Sequence, residues 1–179
     1  MSVEALRDAL AAHGGTVAEL VEPTSAGDSG GHDGALAPGL GAPQRAAQGP
    51  RTVGHAEEYE LLLEMILEGS LLHYGRPRVV LTEDRDLALL LGDQLYALGL
   101  SRLAELGDLD SVSELADLIS LLSQAQLQEN IPLARAIWEA GASAIGWGQS
   151  PEHEAAKRLA RAGDAAAVPA LIQSAGRDL

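Results

Sequence analysis

The chain has 179 residues, 46% hydrophobic but only 3% aromatic, with no Phe, and a formal net charge of −14. That length suits about one domain with a sizeable core, which Leu, Ala, Ile and Val must build, a mix that favours helices. The 26 acidic residues against 12 basic ones argue against nucleic acid or an anionic membrane as partner, and the lack of Cys excludes disulfides, thiolate nucleophiles and Cys-ligated metals.

Residues 1–22 read as an N-terminal helical segment. Val3 to His13 is a short helix stopped by Gly14-Gly15, and a weaker apolar stretch runs on to Val21. The opening Met1-Ser2-Val3-Glu4 carries an acid at once and no basic, apolar leader, so no signal peptide is expected. No stretch approaches the roughly 20 apolar residues of a transmembrane helix, and the expected location is cytoplasmic.

From Pro23 to Gly54, Gly, Ala, Pro, Ser and Gln dominate and bulky apolar residues nearly vanish. Too little apolar surface is available there to offset the entropy of ordering. Residues 23–54 are therefore expected to be a disordered linker that tethers the first helix without building it into the core.

Residues 55–179 read as a helical domain. Helices are expected at about Ala56 to Leu72, Asp84 to Leu106, Leu109 to Gln128 and Leu133 to Trp147. Breaks fall at Gly75 and Pro77, at Gly107, and at Asn130 with Pro132. Ser150 with Pro151 is a helix start, Ser as N-cap and Pro in the first turn, leading to about Ala162. A last short helix, Ala165 to Ser174, contains Pro169. No alternating strand pattern is present, and short connections imply an all-α, mostly antiparallel bundle.

Candidate chemistry is sparse. Glu60, Glu64 and Glu68, with Glu57 nearby, form an acidic stripe at i, i+4 spacing on an otherwise apolar helix. Such a stripe faces water in the plain reading. In the sharper one it lines a cavity where carboxylates one turn apart hold Mg²⁺ through oxygen. The five His residues, 13, 32, 55, 73 and 153, form no metal-binding pair, and no Gly-x-Ser-x-Gly elbow, P-loop or Ser–His–Asp spacing is present. Ala136, Ala140 and Ala144 read as a close-packing stripe, and Trp138 and Trp147 as core or interface anchors.

The order of three features adds more. Glu64-Met65-Ile66-Leu67-Glu68, then Gly75-Arg76-Pro77, then Leu90-Leu91-Gly92-Asp93 resembles the trans-isoprenyl (polyprenyl) diphosphate synthase family. There an Asp-Asp-x-x-Asp motif precedes Arg-Arg-Gly-Lys-Pro and a Leu-Ala-Gly-Asp helix. The likeness runs over about residues 57 to 164 and implies a truncated isoprenoid-synthase-like bundle.

The departures matter as much. The first acid motif would fall on Glu64, Met65 and Glu68, so its second acid is Met. The paired arginines would fall on His73 and Tyr74, with Arg76 in place of Lys. Where the second acid motif is due, the sequence is Ala165-Ala166-Ala167-Val168-Pro169. A diphosphate clamp needs several placed carboxylates and metal ions.

The resemblance thus implies no catalytic residue. It implies a degenerate substrate site at His73, Arg76, Gln124 and Gln128, and a vestigial metal site at Glu64 and Glu68. No cofactor is expected, with Mg²⁺ needed only if some diphosphate binding is retained. A chain of this kind is similar to component I, the small subunit of two-component heptaprenyl diphosphate synthases, which pairs with a catalytic chain and helps set product length. The competing readings are a helical interaction or assembly protein that reuses the scaffold, and a diverged enzyme that binds an isoprenoid diphosphate. Leu89, Leu95 and Leu103, and Leu115, Leu118 and Leu122, are expected to leave an apolar face for a dimer, with itself or with a catalytic prenyl synthase chain.

Overall fold

The computed structural model describes residues 2–21 and 41–176, and among them the fold is all-α. The helices are α1 (Ser2–His13), α2 (Gly15–Glu19), α3 (Ala42–Ala47), α4 (Ala56–Tyr74), α5 (Arg85–Glu105), α6 (Leu109–Leu127), α7 (Ile131–Trp147), α8 (Pro151–Arg161) and α9 (Ala167–Ala175). A 3₁₀ turn at Val53–His55 leads into α4. Side-chain caps fix four starts: Asp84 accepts from the N–H groups of Asp86 and Leu87, Asp108 from Ser111, Asn130 from Leu133 and Ser150 from His153. Each satisfies a backbone donor that the first helical turn leaves open.

Two apolar clusters hold the bundle. The larger joins α3, α4, α6, α7, α8 and α9 around fully buried Trp138, with Leu62, Ile66, Leu115, Leu118 and Ile145. The smaller lies across α4 and α5, where Met65, Leu72, Leu91 and Leu95 meet Leu6, Leu10 and Val17 from the N-terminus and Val79 and Val80 from the α4–α5 loop. Close passage of α4 and α5 depends on glycine. A Cβ on Gly92 would sit 2.5 Å from the His73 ring and 3.1 Å from the Gly69 carbonyl oxygen. The stripe Ala136, Ala140 and Ala144 is buried, as its spacing predicts.

Three sequence expectations need correction. Of the expected linker 23–54, residues 23–40 lie outside the described residues, but 41–54 are packed: Ala42, Ala46 and Thr52 are buried, and α3 lies against α4 and α7. The physical reason is backbone contact. A Cβ on Gly49 would fall 2.2 Å from the Gly146 carbonyl oxygen, and one on Gly146 would fall 2.6 Å from that of Ala46. Small residues are what such an approach requires. Second, α1 and α2 dock on the core, because Leu6 and Leu10, one turn apart, enter the α4–α5 groove. Leu20 and Val21 also pair with the loop, through the Leu81 N–H to Leu20 carbonyl bond at 3.1 Å and an antiparallel bridge between Val21 and Val80. Third, Leu95, Leu103, Leu115, Leu118 and Leu122 are buried within the chain itself, so they offer no open face.

Candidate functional site

The acidic stripe of α4 changes character along its length. Glu57 is exposed and Glu60 is half-buried, whereas Glu64 and Glu68 are 0% exposed. Neither expectation describes these last two, since they neither face water nor line an open metal cavity. Arg78, in the loop after α4, is their counter-charge. Its Nη2 donates to Glu64 Oε2 at 2.6 Å and its Nε to Glu68 Oε2 at 3.2 Å.

Both carboxylates are then completed by other donors. Glu68 Oε1 accepts the backbone N–H groups of Arg78, Val79 and Val80 at 2.7, 2.7 and 3.2 Å, and Glu64 Oε1 accepts Gln44 Nε2 at 3.2 Å. Buried charges persist only when paired and hydrogen-bonded in this way. The two carboxylates expected to mark a vestigial metal site are thus engaged by a guanidinium and a curl of backbone. Arg78 was missed because its sequence context, Gly75-Arg76-Pro77-Arg78, draws attention to Arg76.

The four residues expected at the degenerate substrate site fall into two groups. His73 and Arg76 lie at the C-terminal end of α4. The His73 ring stacks on Tyr96 (centroids 5.3 Å apart, planes 2° apart), and its Nε2 lies 3.1 Å from Asp93 Oδ1 but off the line of a hydrogen bond. Arg76 is exposed in the loop. Gln124 instead donates to the Ala160 and Arg161 carbonyls in the last turn of α8, at 3.4 and 3.2 Å, and Gln128 is the exposed C-cap of α6. The described contacts do not join the two groups. Gln124 works as a helix-end donor.

A second buried polar centre went unseen in the sequence. Glu114 of α6 is 1% exposed and accepts three donors: His153 Nε2 at 2.7 Å, Lys157 Nζ at 2.7 Å and Gln149 Nε2 at 3.1 Å. Lys157 also reaches Asp117 at 2.9 Å and Glu154 at 2.6 Å, while Arg161 holds the other Asp117 oxygen at 2.6 Å. Burial pulls the Lys157 ammonium down, but its bonds to Glu114, Glu154 and Asp117 outweigh that and hold it well above its ordinary range. Burial pushes the Asp117 carboxyl up, and its bonds to Arg161 and Lys157 bring it below the usual range.

His153 Nδ1 lies 3.4 Å from Ser174 Oγ, beside a cavity of about 50 Å³ lined by Ser143, Ser150 and Gly148. Glu114, His153 and Glu154 bring ligand atoms within 4.8 Å of one another, a set that could hold a metal ion. The Lys157 ammonium already bonds two of the three, so the positive charge that this set needs is supplied from within the chain. The signal that could have found the centre is the i, i+4 run His153, Lys157 and Arg161 along one face of α8.

A third feature is an apolar slot of about 270 Å³ between α3, α7 and α9, floored by Ala142 and Trp147 and rimmed by the Arg45–Glu139 ion pair. Among the described residues, no helix is long and apolar enough to cross a membrane. Compared with protein-family models, with curated proteins and with solved structures, the chain matches none.

Proposed function

We propose that this chain is a non-catalytic helical subunit, regulatory or product-length-setting, that pairs with a catalytic prenyl diphosphate synthase chain in isoprenoid or quinone side-chain biosynthesis. The observation that carries the reading is the fate of Glu64 and Glu68. In the resemblance they stand where a diphosphate-binding chain presents metal ligands, yet here every carboxylate oxygen of the pair is engaged by Arg78, loop N–H groups or Gln44. Loading Mg²⁺ there would require breaking a buried ion pair. A helical bundle whose acid pair is sealed in this way suits a supporting chain in the cytoplasm better than an enzyme.

The test is expression alone and together with a prenyl diphosphate synthase chain from the same genome that bears intact aspartate motifs. The isolated chain is expected to give no radiolabelled condensation product with Mg²⁺, and the co-expressed pair to purify as one complex with altered product length. Turnover by the isolated chain, free of host synthases, would refute the non-catalytic reading. Monodisperse monomers in both preparations would refute the subunit reading.

A further inference from the structure

The geometry points to a hydrolytic site at the second polar centre, with Ser174 as nucleophile, His153 as its general base and Glu114 as the group that orients the ring. Its substrate class is a small carboxylic ester with an apolar acyl chain. The inference is independent of the prenyl synthase reading, which rests on Glu64 and Glu68, and a chain that performs no prenyl transfer can carry a separate reaction here.

Three helices supply the three groups: Glu114 from α6, His153 from the first turn of α8 and Ser174 from the last turn of α9. His153 Nε2 lies 2.7 Å from Glu114 Oε1, and its Nδ1 lies 3.4 Å from Ser174 Oγ. Lys157 and Gln149 take the other Glu114 oxygen, which leaves Oε1 to the ring. A carboxylate oxygen accepts, so Nε2 carries the ring proton and Nδ1 turns its lone pair to the serine. At rest the Ser174 hydroxyl donates to the Leu171 carbonyl at 2.8 Å. A turn about its Cβ–Oγ bond brings that proton to Nδ1, and such catalytic contacts are often long until substrate binds. Relative to the familiar Ser–His–Asp set the two ring nitrogens are exchanged, and the roles are the same.

The surroundings suit an ester. His153 is 4% exposed, whereas Ser143, Ser150 and Ser174 are half-buried around the cavity of about 50 Å³, so the base is shielded and the nucleophile can be reached. Ser143 also lines the apolar slot of about 270 Å³, as does Ala175 next to the nucleophile. An ester carbonyl at Ser174 can therefore lay its acyl chain against Trp147 and Ile172. Ser150, whose oxygen accepts the His153 N–H, lines the same cavity and can turn its hydroxyl proton to the carbonyl oxygen as charge develops there.

In the first step Ser174 Oγ bonds the carbonyl carbon and its proton passes to His153 Nδ1. The bond from that carbon to the alkoxy oxygen then breaks, and the alcohol leaves with the proton from Nδ1. Water repeats the sequence on the acyl-serine, so that ester and water become acid and alcohol.

A fluorophosphonate probe tests the nucleophile on the full chain, with the labelled peptide identified by mass spectrometry. Label is expected at Ser174 and not at exposed Ser101, Ser113 or Ser120. No label at Ser174, or equal label at the exposed serines, overturns the site, and this reading needs no variant to fold. In His153→Gln, checked for folding by circular dichroism, the labelling rate should fall at least about a hundredfold; an unchanged rate overturns the base. Hydrolysis of p-nitrophenyl hexanoate should exceed that of the acetate by at least about tenfold in kcat/KM, and Ile172→Asp, at an exposed wall of the slot, should erase that preference. Equal kcat/KM for both esters on the unaltered chain, or a preference that survives Ile172→Asp, overturns the slot as the acyl site.

Discussion

Replacing Arg78 by Met removes the one cation that both buried glutamates share. Glu64 would keep a single donor, Gln44 Nε2 at 3.2 Å, whereas Glu68 would keep three backbone N–H groups. Breaking a buried pair from one side costs about 3–5 kcal/mol, because a charge is left behind. That cost should fall on Glu64, with about 1–2 kcal/mol more for the bond lost by better-supported Glu68. The sum, about 5 kcal/mol, is a third or more of a typical domain's stability. Urea titration followed by far-UV circular dichroism should show the midpoint falling at unchanged slope. Adding Glu64→Gln to Arg78→Met should restore about 2 kcal/mol or more, since the stranded charge is then gone. A loss below about 1 kcal/mol for Arg78→Met would mean that the carboxylates find water or another cation, and the sealed-stripe account would fall.

The remaining expectations concern packing, the second polar centre and pH. Gly146→Ala should cost about 1–3 kcal/mol by forcing α3 off α7, while Gly54→Ala, with nothing within 4 Å of the added carbon, should stay within about 0.5 kcal/mol; equal melting temperatures would refute the close contact. Glu114→Ala strands His153 and Lys157, but Lys157 keeps Asp117 and Glu154, so a loss near the lower end, about 3 kcal/mol, is expected in the same titration. Burial, together with the bond to the Asp108 carboxylate, raises the Tyr59 hydroxyl to about 12. Its folded value lies above its unfolded one, so its contribution is full below about pH 10 and lost as pH rises beyond that. Tyr59→Phe should therefore show a smaller fall in urea midpoint between about pH 9 and 11.5 than the unaltered chain; parallel falls would exclude Tyr59 from that limb.

Helices and their ends were legible because they are written locally. Asp84, Asp108, Asn130 and Ser150 cap helices that begin within a residue or two of where the pattern puts them, with Pro132 and Pro151 in allowed first-turn positions. What stayed hidden lies between elements. Glu64 and Arg78 are 14 residues apart and Glu114 and His153 are 39 apart, and no helical period links such positions. The stretch around Ala42 to Gly49 misled for a different reason. A lack of bulky side chains reads as a lack of packing, yet backbone against backbone is packing that bulk would prevent. Likewise, Leu95 and Leu118 read as surplus surface because nothing local in the sequence marks that α1 covers the first and α7 the second.

Arg51 gives the bundle a time order. From just after α3 its N–H bonds the Gly146 carbonyl at 3.0 Å, its Nη1 the Ile145 carbonyl at 2.9 Å and Ser111 Oγ at 3.3 Å, and its Nη2 the Asp108 carboxylate at 3.1 Å. These partners lie 57 to 94 residues away by side chain, and closing such spans costs more chain entropy than pairing neighbouring helices, so these bonds are expected to form late. A knot tied last is the first to be undone. Arg51→Ala should therefore speed unfolding while leaving the refolding rate almost unchanged, which makes this one surface arginine a setting for how long the folded chain endures.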